Sequence, residues 1–311
     1  MVATTRNDTG VIDMTAEESL HLIQDIELDL ATFFDDFCTR HKLRYSLIFG
    51  SLIGAVRHKG FIPWDDDIDF MMPRPDFEEF LAAVQDELPP YYQLSSYRVG
   101  TSSRCVARIL DTRAIISLES YGKNNELPVW LDVFVLDGMP EGSLGRAVHT
   151  KRILWHKAMC AFASFEETVN KNRPGRPKLQ QLIINFCAAT HFGSWLDIDK
   201  RLQKYDCALK KYSYEDHAVC VCGAGTYDVE KQTWPRSCFD DLTRVPFEDT
   251  SFLATADYDK VLRNVYGEYM ELPPEDKRIV HVFKFIKNEY PGRVSKPVHT
   301  DYAVKECANN E

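Results

Sequence analysis

The sequence has no CxxC pair, no apolar run near the roughly 18 residues that a membrane helix needs, and no surplus of basic charge. Each absence removes a class. Its nine cysteines, an odd set scattered from Cys38 to Cys307, support neither a disulfide framework nor a zinc ribbon, and read as buried thiols. The opening residues, MVATTRNDTG, lack the basic and apolar blocks of a secretory signal, which predicts a cytoplasmic protein. With 37 Lys and Arg against 47 Asp and Glu, the net charge is −10. That balance argues against general nucleic-acid binding, and a phosphate-bearing substrate would have to meet a local cationic patch or metal ions. What remains, 311 residues at 44% hydrophobic and 27% charged, is a globular chain with room for one large domain or two modest ones.

Two textures divide the chain. TAEE, with Thr15 as N-cap and Glu18 three residues on, starts an amphipathic helix carrying Leu22, Ile26, Leu30, Phe33 and Phe37 to about Arg40. A strand at Arg44–Phe49, a Gly50-Ser51 turn, a helical turn to Arg57 and a second strand through GFIPWDDDIDF follow. DFEEFLAAVQDEL reads as a helix stopped by Pro89-Pro90, and strands are expected at Tyr91–Tyr97, Arg104–Leu110, Ala114–Leu118 and through WLDVFVLD. Asp137, at the end of that last strand, reads as a turn residue. Beyond Pro140 helices are expected at Leu144–Phe165, Leu179–His191, Ile198–Lys211 and Tyr258–Tyr266, with a short strand near Val219–Tyr227 and a basic loop, NKNRPGRPK, at Asn170–Lys178. The expected organisation is a catalytic α/β core over 1–140 and a mainly helical region over 141–311 that completes the site.

Four aspartates, Asp65, Asp66, Asp67 and Asp69, crowd one stretch. If it is a strand, Asp65, Asp67 and Asp69 share a face and Asp66 points the other way. Neighbours on that face stand about 6.7 Å apart, so at an effective dielectric near 20 each ionised pair repels by about 2.5 kcal/mol. The row, at about 6 kcal/mol, rivals the roughly 5–15 kcal/mol stability of a whole domain, and therefore needs open water or cations.

Four explanations compete. A solvated acidic edge sits poorly beside Ile62, Trp64, Ile68, Phe70 and Met71. A calcium loop fails at its sixth position, where Phe70 replaces the required Gly. The Asp-x-Asp of a sugar-nucleotide glycosyltransferase is short, and the alternating strands and helices that usually precede it are not evident. A two-metal phosphoryl or nucleotidyl transfer site, with Asp67 and Asp69 as paired ligands, fits the preceding segment better. There a strand turns into a helix at Gly50-Ser51, offering N–H groups and a hydroxyl to phosphate. That arrangement is expected of a polymerase-beta-like nucleotidyltransferase fold, a mixed sheet with flanking helices. Asp132, a lone acid among Trp130, Leu131, Val133 and Phe134, is the candidate third carboxylate, although a core Asp tied to backbone or an Arg would look the same.

GSLIGAVRHKGFIPWDDDIDF, WLDVFVLDGMP and YGEYMELPPEDKR together resemble the LicD phosphotransferases, whose relatives include the fukutin-related proteins. The resemblance is weakest between about Arg146 and Phe247. It departs from the family where Gly50-Ser51 replaces the usual Gly-Thr, and where Val133 and Val135 replace Ile and Pro. The zinc-binding cysteines of the fukutin-related branch have no counterpart, so no structural zinc is expected.

The resemblance implies transfer of phosphocholine or a polyol phosphate from a CDP-activated donor to a sugar hydroxyl of a glycan or lipid-linked oligosaccharide. A glycosyltransferase and a non-catalytic nucleotide-binding relative are the alternatives. Asp67, Asp69 and Asp132 would hold Mg²⁺ or Mn²⁺, with Asp132 the candidate general base. Gly50, Ser51, Arg57, His58 and Lys59 would receive the donor phosphates. Trp64, Asp65, Lys277, Arg278 and His281 are candidate substrate contacts. No nucleic-acid partner and no membrane span are expected, and work at the inner face of a membrane is compatible with this picture.

Overall fold

The computed structural model describes residues 12–102, 104–118, 126–165, 177–190, 193, 195–274, 278 and 283–293. Helix α1, Ala16–His41, begins at the foreseen capping box: Thr15 Oγ1 accepts from the Glu18 N–H at 3.1 Å and Glu18 returns the bond to the Thr15 N–H at 2.8 Å. Its stripe of Ile26, Leu30, Phe34 and Phe37 is fully buried, and Phe34 stacks on Phe70 with ring centroids 4.7 Å apart.

Around that contact lies a mixed sheet. Its path is β1 (Ser46–Leu47), β2 (Asp69–Pro73), β5 (Glu126–Met139), β4 (Ala107–Leu118) and β10 (Phe283–Asn288). β3 (Tyr92–Ser95) adds to β4, and β6 (Val219–Val221) with β7 (Thr233–Pro235) adds to β5. β2 and β5 run parallel while the other pairs are antiparallel. A separate hairpin, β8 (Leu242–Phe247) with β9 (Thr250–Thr255), packs Phe252 against Phe70. Helices α2 (Phe49–His58), α3 (Arg74–Ala83), α4 (Ser143–Ala163), α5 (Lys178–Thr190), α6 (Ile198–Leu209) and α7 (Tyr258–Tyr266) complete the described elements. A smaller apolar cluster of Met139, Ile153, Leu202, Leu209 and Val221 seats α4 and α6 on the far end of β5. Among the described residues no helix is long and apolar enough to cross a membrane.

Several local expectations need correction. The strand expected through Gly60–Phe70 begins only at Asp69. Upstream the backbone bonds to side chains instead of to a neighbouring strand: the Phe61 N–H donates to Glu248, Gln24 donates to the Asp65 carbonyl, and the Ile68 N–H donates to Glu27. The two strands expected on either side of Asp111-Thr112-Arg113 are one, β4, whose register shift between Asp111 and Ile115 absorbs the apparent turn. Strands β7 to β10 were not foreseen, because these short segments show no clean alternation.

Asp137 is no turn residue. It lies inside β5, almost fully buried, and takes a two-pronged ion pair from Arg74 with both contacts at 2.7 Å. Arg74 reaches on to Asp206 of α6 at 2.9 Å, and Asp206 also accepts from Tyr97, Arg98 and Lys210. Burial alone would raise the Asp206 carboxyl, but Arg74 and the Tyr97 hydroxyl hold it down to about 2. The network ties α3, β5 and α6 together in a region with little water. Arg74→Met is expected to cost about 3–5 kcal/mol by stranding the Asp137 carboxylate, read as a fall in the midpoint of urea unfolding. A lowered carboxyl pKa stabilises above its unfolded value of about 3.9 and loses that contribution as pH falls toward the folded one. Asp206→Asn should therefore flatten the loss of stability between about pH 4 and pH 2.

Candidate active site

Strand pairing assembles the acidic centre. Parallel β2 and β5 set Asp69 beside Asp132, and antiparallel β4 and β5 set Arg108 on the other side of Asp132. The pleat turns these three to one face, while Phe70 and Val133, next along each strand, are fully buried on the other. Arg108 holds both Asp132 oxygens, at 2.7 and 3.2 Å, and lies 4.3 Å over the Trp130 ring; the Trp130 indole donates to Asp132 at 2.9 Å. Ser51 is buried in the first turn of α2, where its hydroxyl accepts from the Asp69 N–H at 2.7 Å.

The loop before β2 supplies the other carboxylates. Gln24 fixes the Asp65 carbonyl at 2.9 Å and Glu27 takes the Ile68 N–H at 3.3 Å, so α1 holds the loop from behind. Asp65 lies over Gly50: a Cβ there would stand 2.7 Å from its Oδ2. Phe49, just before it, has φ of 51°, a left-handed conformation that bulky residues rarely adopt, and its ring meets Phe134 edge-on at 5.3 Å. Farther along α2, a Cβ on Gly54 would strike the Gly60 carbonyl at 2.4 Å, so only glycine lets the loop close against the helix.

Asp65, Asp67, Asp69 and Asp132 line one side of a 790 Å³ cavity. The rest of its lining includes Lys157 and Cys160 of α4, Tyr205 of α6, Tyr266 of α7, and the turn at Gly225-Thr226-Tyr227. Lys157 donates to the Gly225 and Thr226 carbonyls and lies 4.8 Å from the centre of the Tyr227 ring. Burial lowers its ammonium to about 8.

Burial also drives the Asp69 carboxyl well above its usual range, with Asp67, Asp132 and Asp65 adding repulsion and Arg108 opposing it. Glu27, fully buried behind the loop, is raised for the same first reason, reinforced by Asp67 and Asp132. The donor set consists of hard carboxylate oxygens carrying excess like charge, which suits Mg²⁺ or Mn²⁺ rather than a thiolate-seeking metal. Among the described residues no three ligand-type side chains yet converge on a single point. Arg108 holds Asp132 in place of a cation.

The structure thus brings together Asp65, Asp67, Asp69, Asp132 and Gly50 around one cavity. It does so by a different route from the single strand face expected: Asp65, Asp66 and Asp67 lie in a loop, and strand pairing brings Asp132 to Asp69. Arg57, His58 and Lys59 are at the opposite end of α2, about 12 Å along the helix from Gly50 at 1.5 Å per residue. There Arg57 donates to His58 and to the Tyr269 carbonyl. Cavity cations come instead from Arg104 and Lys157. Trp64 is covered by the Arg278 guanidinium at 4.5 Å, which connects the C-terminal motif to the acidic loop. Lys277, His281 and residues 170–176 of NKNRPGRPK lie outside the described residues. Sequence reasoning missed Glu27, Arg104, Arg108 and Lys157. Arg108 and Arg104 carried a usable signal, being cations on one face of the strand expected at Arg104–Leu110, whereas Glu27 and Lys157 had none.

Fold and site together define a mixed α/β protein with a carboxylate-walled cavity beside a parallel strand pair. Residues 42–112 match the LicD/FKTN/FKRP nucleotidyltransferase domain. It is 27% identical over 256 residues, 82% of this chain and 92% of the relative, to the lipopolysaccharide cholinephosphotransferase LicD of Haemophilus influenzae. An uncharacterized protein of Rickettsia typhi is 39% identical over 64 residues, 21% of this chain and 19% of its own. A second, from Rickettsia prowazekii, is 37% identical over 59 residues, 19% and 21% of the two chains.

The crowding around Asp69 has a measurable cost. An unfolded Asp ionises near about 3.9 and the folded Asp69 only well above it. Between those values the unfolded state binds fewer protons, so wild-type stability falls as pH rises. Asp69→Asn should weaken that fall and raise the melting temperature of the ligand-free protein by a few degrees at neutral pH, for a gain of about 1 kcal/mol.

Proposed function

We propose that this protein transfers a phosphorylated alcohol, phosphocholine first among the candidates, from a CDP-activated donor to a sugar hydroxyl of a glycan or its lipid-linked precursor. The observation that carries the proposal is the Asp69–Asp132 pair on parallel strands, with Asp67 beside it on the wall of a 790 Å³ cavity. That volume falls within the roughly 300–1,000 Å³ of small-molecule sites. The domain match and the named activity of the Haemophilus relative support the same chemistry. A polymerase-beta-like nucleotidyltransferase fold belongs to this reading, as do residues 1–140 as its catalytic core and a cytoplasmic place of action at the inner face of a membrane.

Asp67, Asp69 and Asp132 would hold one or two Mg²⁺ or Mn²⁺ ions. Bound there, the metal would supply charge neutralisation on the donor diphosphate. The chain's own groups do the rest. Gly50 and the N–H groups opening α2 face the cavity at the positive end of the helix dipole, a place for phosphate oxygens. Ser51 holds β2, and with it Asp69, in register. Lys157 and Arg104 give an otherwise acidic protein local positive charge where an anionic donor must bind. Tyr205, Tyr227 and Tyr266 offer aromatic surface to a ring. Arg108 holds the Asp132 carboxylate in a fixed orientation beside Asp69.

Incubation with CDP-choline, CDP-ribitol or CDP-glycerol plus Mg²⁺ should release CMP from at least one donor, and chelation should stop it. Asp67→Ala and Asp69→Ala should each lower turnover by about 10²-fold or more, Asp65→Ala less and Asp66→Ala least. Release of UDP or GDP from a sugar nucleotide, or binding of neither a CDP-alcohol nor a divalent ion, would overturn the proposal.

A further inference from the structure

Charge is unevenly spread along the chain. Residues 143–213 hold 13 Lys and Arg against 5 Asp and Glu, a net charge of +8, while the remainder holds 24 against 42. The basic charge therefore gathers in the region of α4, α5 and α6, and α4 itself contains no acid at all. Part of it is left unneutralised. Arg44, Arg74, Arg98, Arg108, Arg113 and Arg244 are each held by a carboxylate. Among the described residues, by contrast, no ion pair reaches Lys151 or Arg152 of α4, or Arg201 or Lys204 of α6.

α4 carries apolar residues on two faces. Ile153 and Cys160 are buried against α6 and the end of β5. At 3.6 residues per turn, Leu144, Val148, Lys151 and Trp155 fall within about 60° of one another on the opposite side. There Leu144, Val148 and Trp155 are 78%, 53% and 61% exposed. At the C-terminal end of the helix, α5 packs on Phe162 through Ile184 and Cys187 and adds Leu182, 66% exposed. The turn that carries Trp195, 71% exposed, closes on the same end, since a Cβ on Gly193 would stand 2.1 Å from the Phe162 carbonyl. Single apolar residues scattered over a surface need no explanation, but a stripe of them with a tryptophan among free cations does.

We propose that this outer face lays α4 in the plane of a lipid bilayer that carries anionic headgroups. It gives the place of action proposed above a contact surface, yet it does not depend on the chemistry at the carboxylates. A helix at a bilayer surface needs apolar and aromatic side chains to enter the boundary between headgroups and acyl chains, and Lys and Arg to meet lipid phosphates. α4 has both. Charge complementarity selects the occupant: a second copy of the chain would bring like charge to like across a two-fold axis. A nucleic acid would pair the cations but leave Leu144 and Val148 against water. The helix also contributes Lys157 and Cys160 to the 790 Å³ cavity, so docking brings that cavity to the membrane.

The full chain should sediment with phosphatidylcholine vesicles that contain phosphatidylglycerol, and much less with phosphatidylcholine alone. Salt should weaken the binding, because the Debye length falls from about 10 Å at about 0.1 M to about 3 Å at about 1 M. Trp155→Ala should lower the partition constant by about tenfold and Lys151→Ala by about fivefold. Circular dichroism checks the fold of each variant, and Leu144→Gln, at the other end of the stripe, repeats the test if either is impaired. No vesicle binding, equal binding to both lipids, or binding that these substitutions leave unchanged would overturn the proposal. So would a protein that ignores vesicles but loses a dimer, or binding to single-stranded RNA, on Trp155→Ala. Vesicle binding without CMP release from any CDP-alcohol leaves the docking face standing and removes the transferase reading, and CMP release without vesicle binding does the reverse.

Discussion

The parallel pairing of β2 with β5 forces Asp69 and Asp132 side by side, and much of the molecule is arranged around that contact. Two ionised carboxylates on adjacent strands, about 5 Å apart, repel by about 3 kcal/mol at an effective dielectric near 20. The fold opposes this with Arg108, placed across from Asp132 by the next strand and supported by the Trp130 ring. It braces the rest with α1, whose Gln24 and Glu27 fix the loop carrying Asp65 to Ile68, and with Ser51, whose hydroxyl ties α2 to β2. A concentration of like charge that persists only under so much bracing is typical of a site kept for its chemistry.

The braces are also the part of the site least visible in the sequence. α1 could be read directly, because a capping box and a helical stripe are local signals, and Asp132 stood out as an acid among apolar neighbours. The loop at Gly60–Ile68 was mistaken for strand because its apolar residues alternate with acids as a strand's would. What prevents the strand is remote: Glu248 in the β8–β9 turn and two side chains of α1 take the backbone bonds a neighbouring strand would have taken. Asp137 was misjudged for the same reason, since its partner Arg74 lies 63 residues away. The basic run Arg57-His58-Lys59 looked like a phosphate patch only while the length of α2 was unknown; ten residues of helix carry it to the other end.

Local charge then differs from overall charge in a useful way. A chain with net charge −10 would hold an anionic donor poorly over most of its surface. In the cavity, Lys157 and Arg104 share the lining with the carboxylates and with the rings of Tyr205, Tyr227 and Tyr266, so an acidic protein has local positive charge there.

The central claim is that Asp67, Asp69 and Asp132 form a divalent-metal site at which the donor phosphates bind. Crystals grown with Mn²⁺ and CMP test it most directly, because manganese is located by its anomalous signal without reference to activity. The account predicts an anomalous peak between β2 and β5, within carboxylate bonding distance of Asp67 and Asp69, with a phosphate oxygen of CMP in its coordination sphere. No peak there, or manganese and CMP bound together elsewhere on the protein, would contradict it.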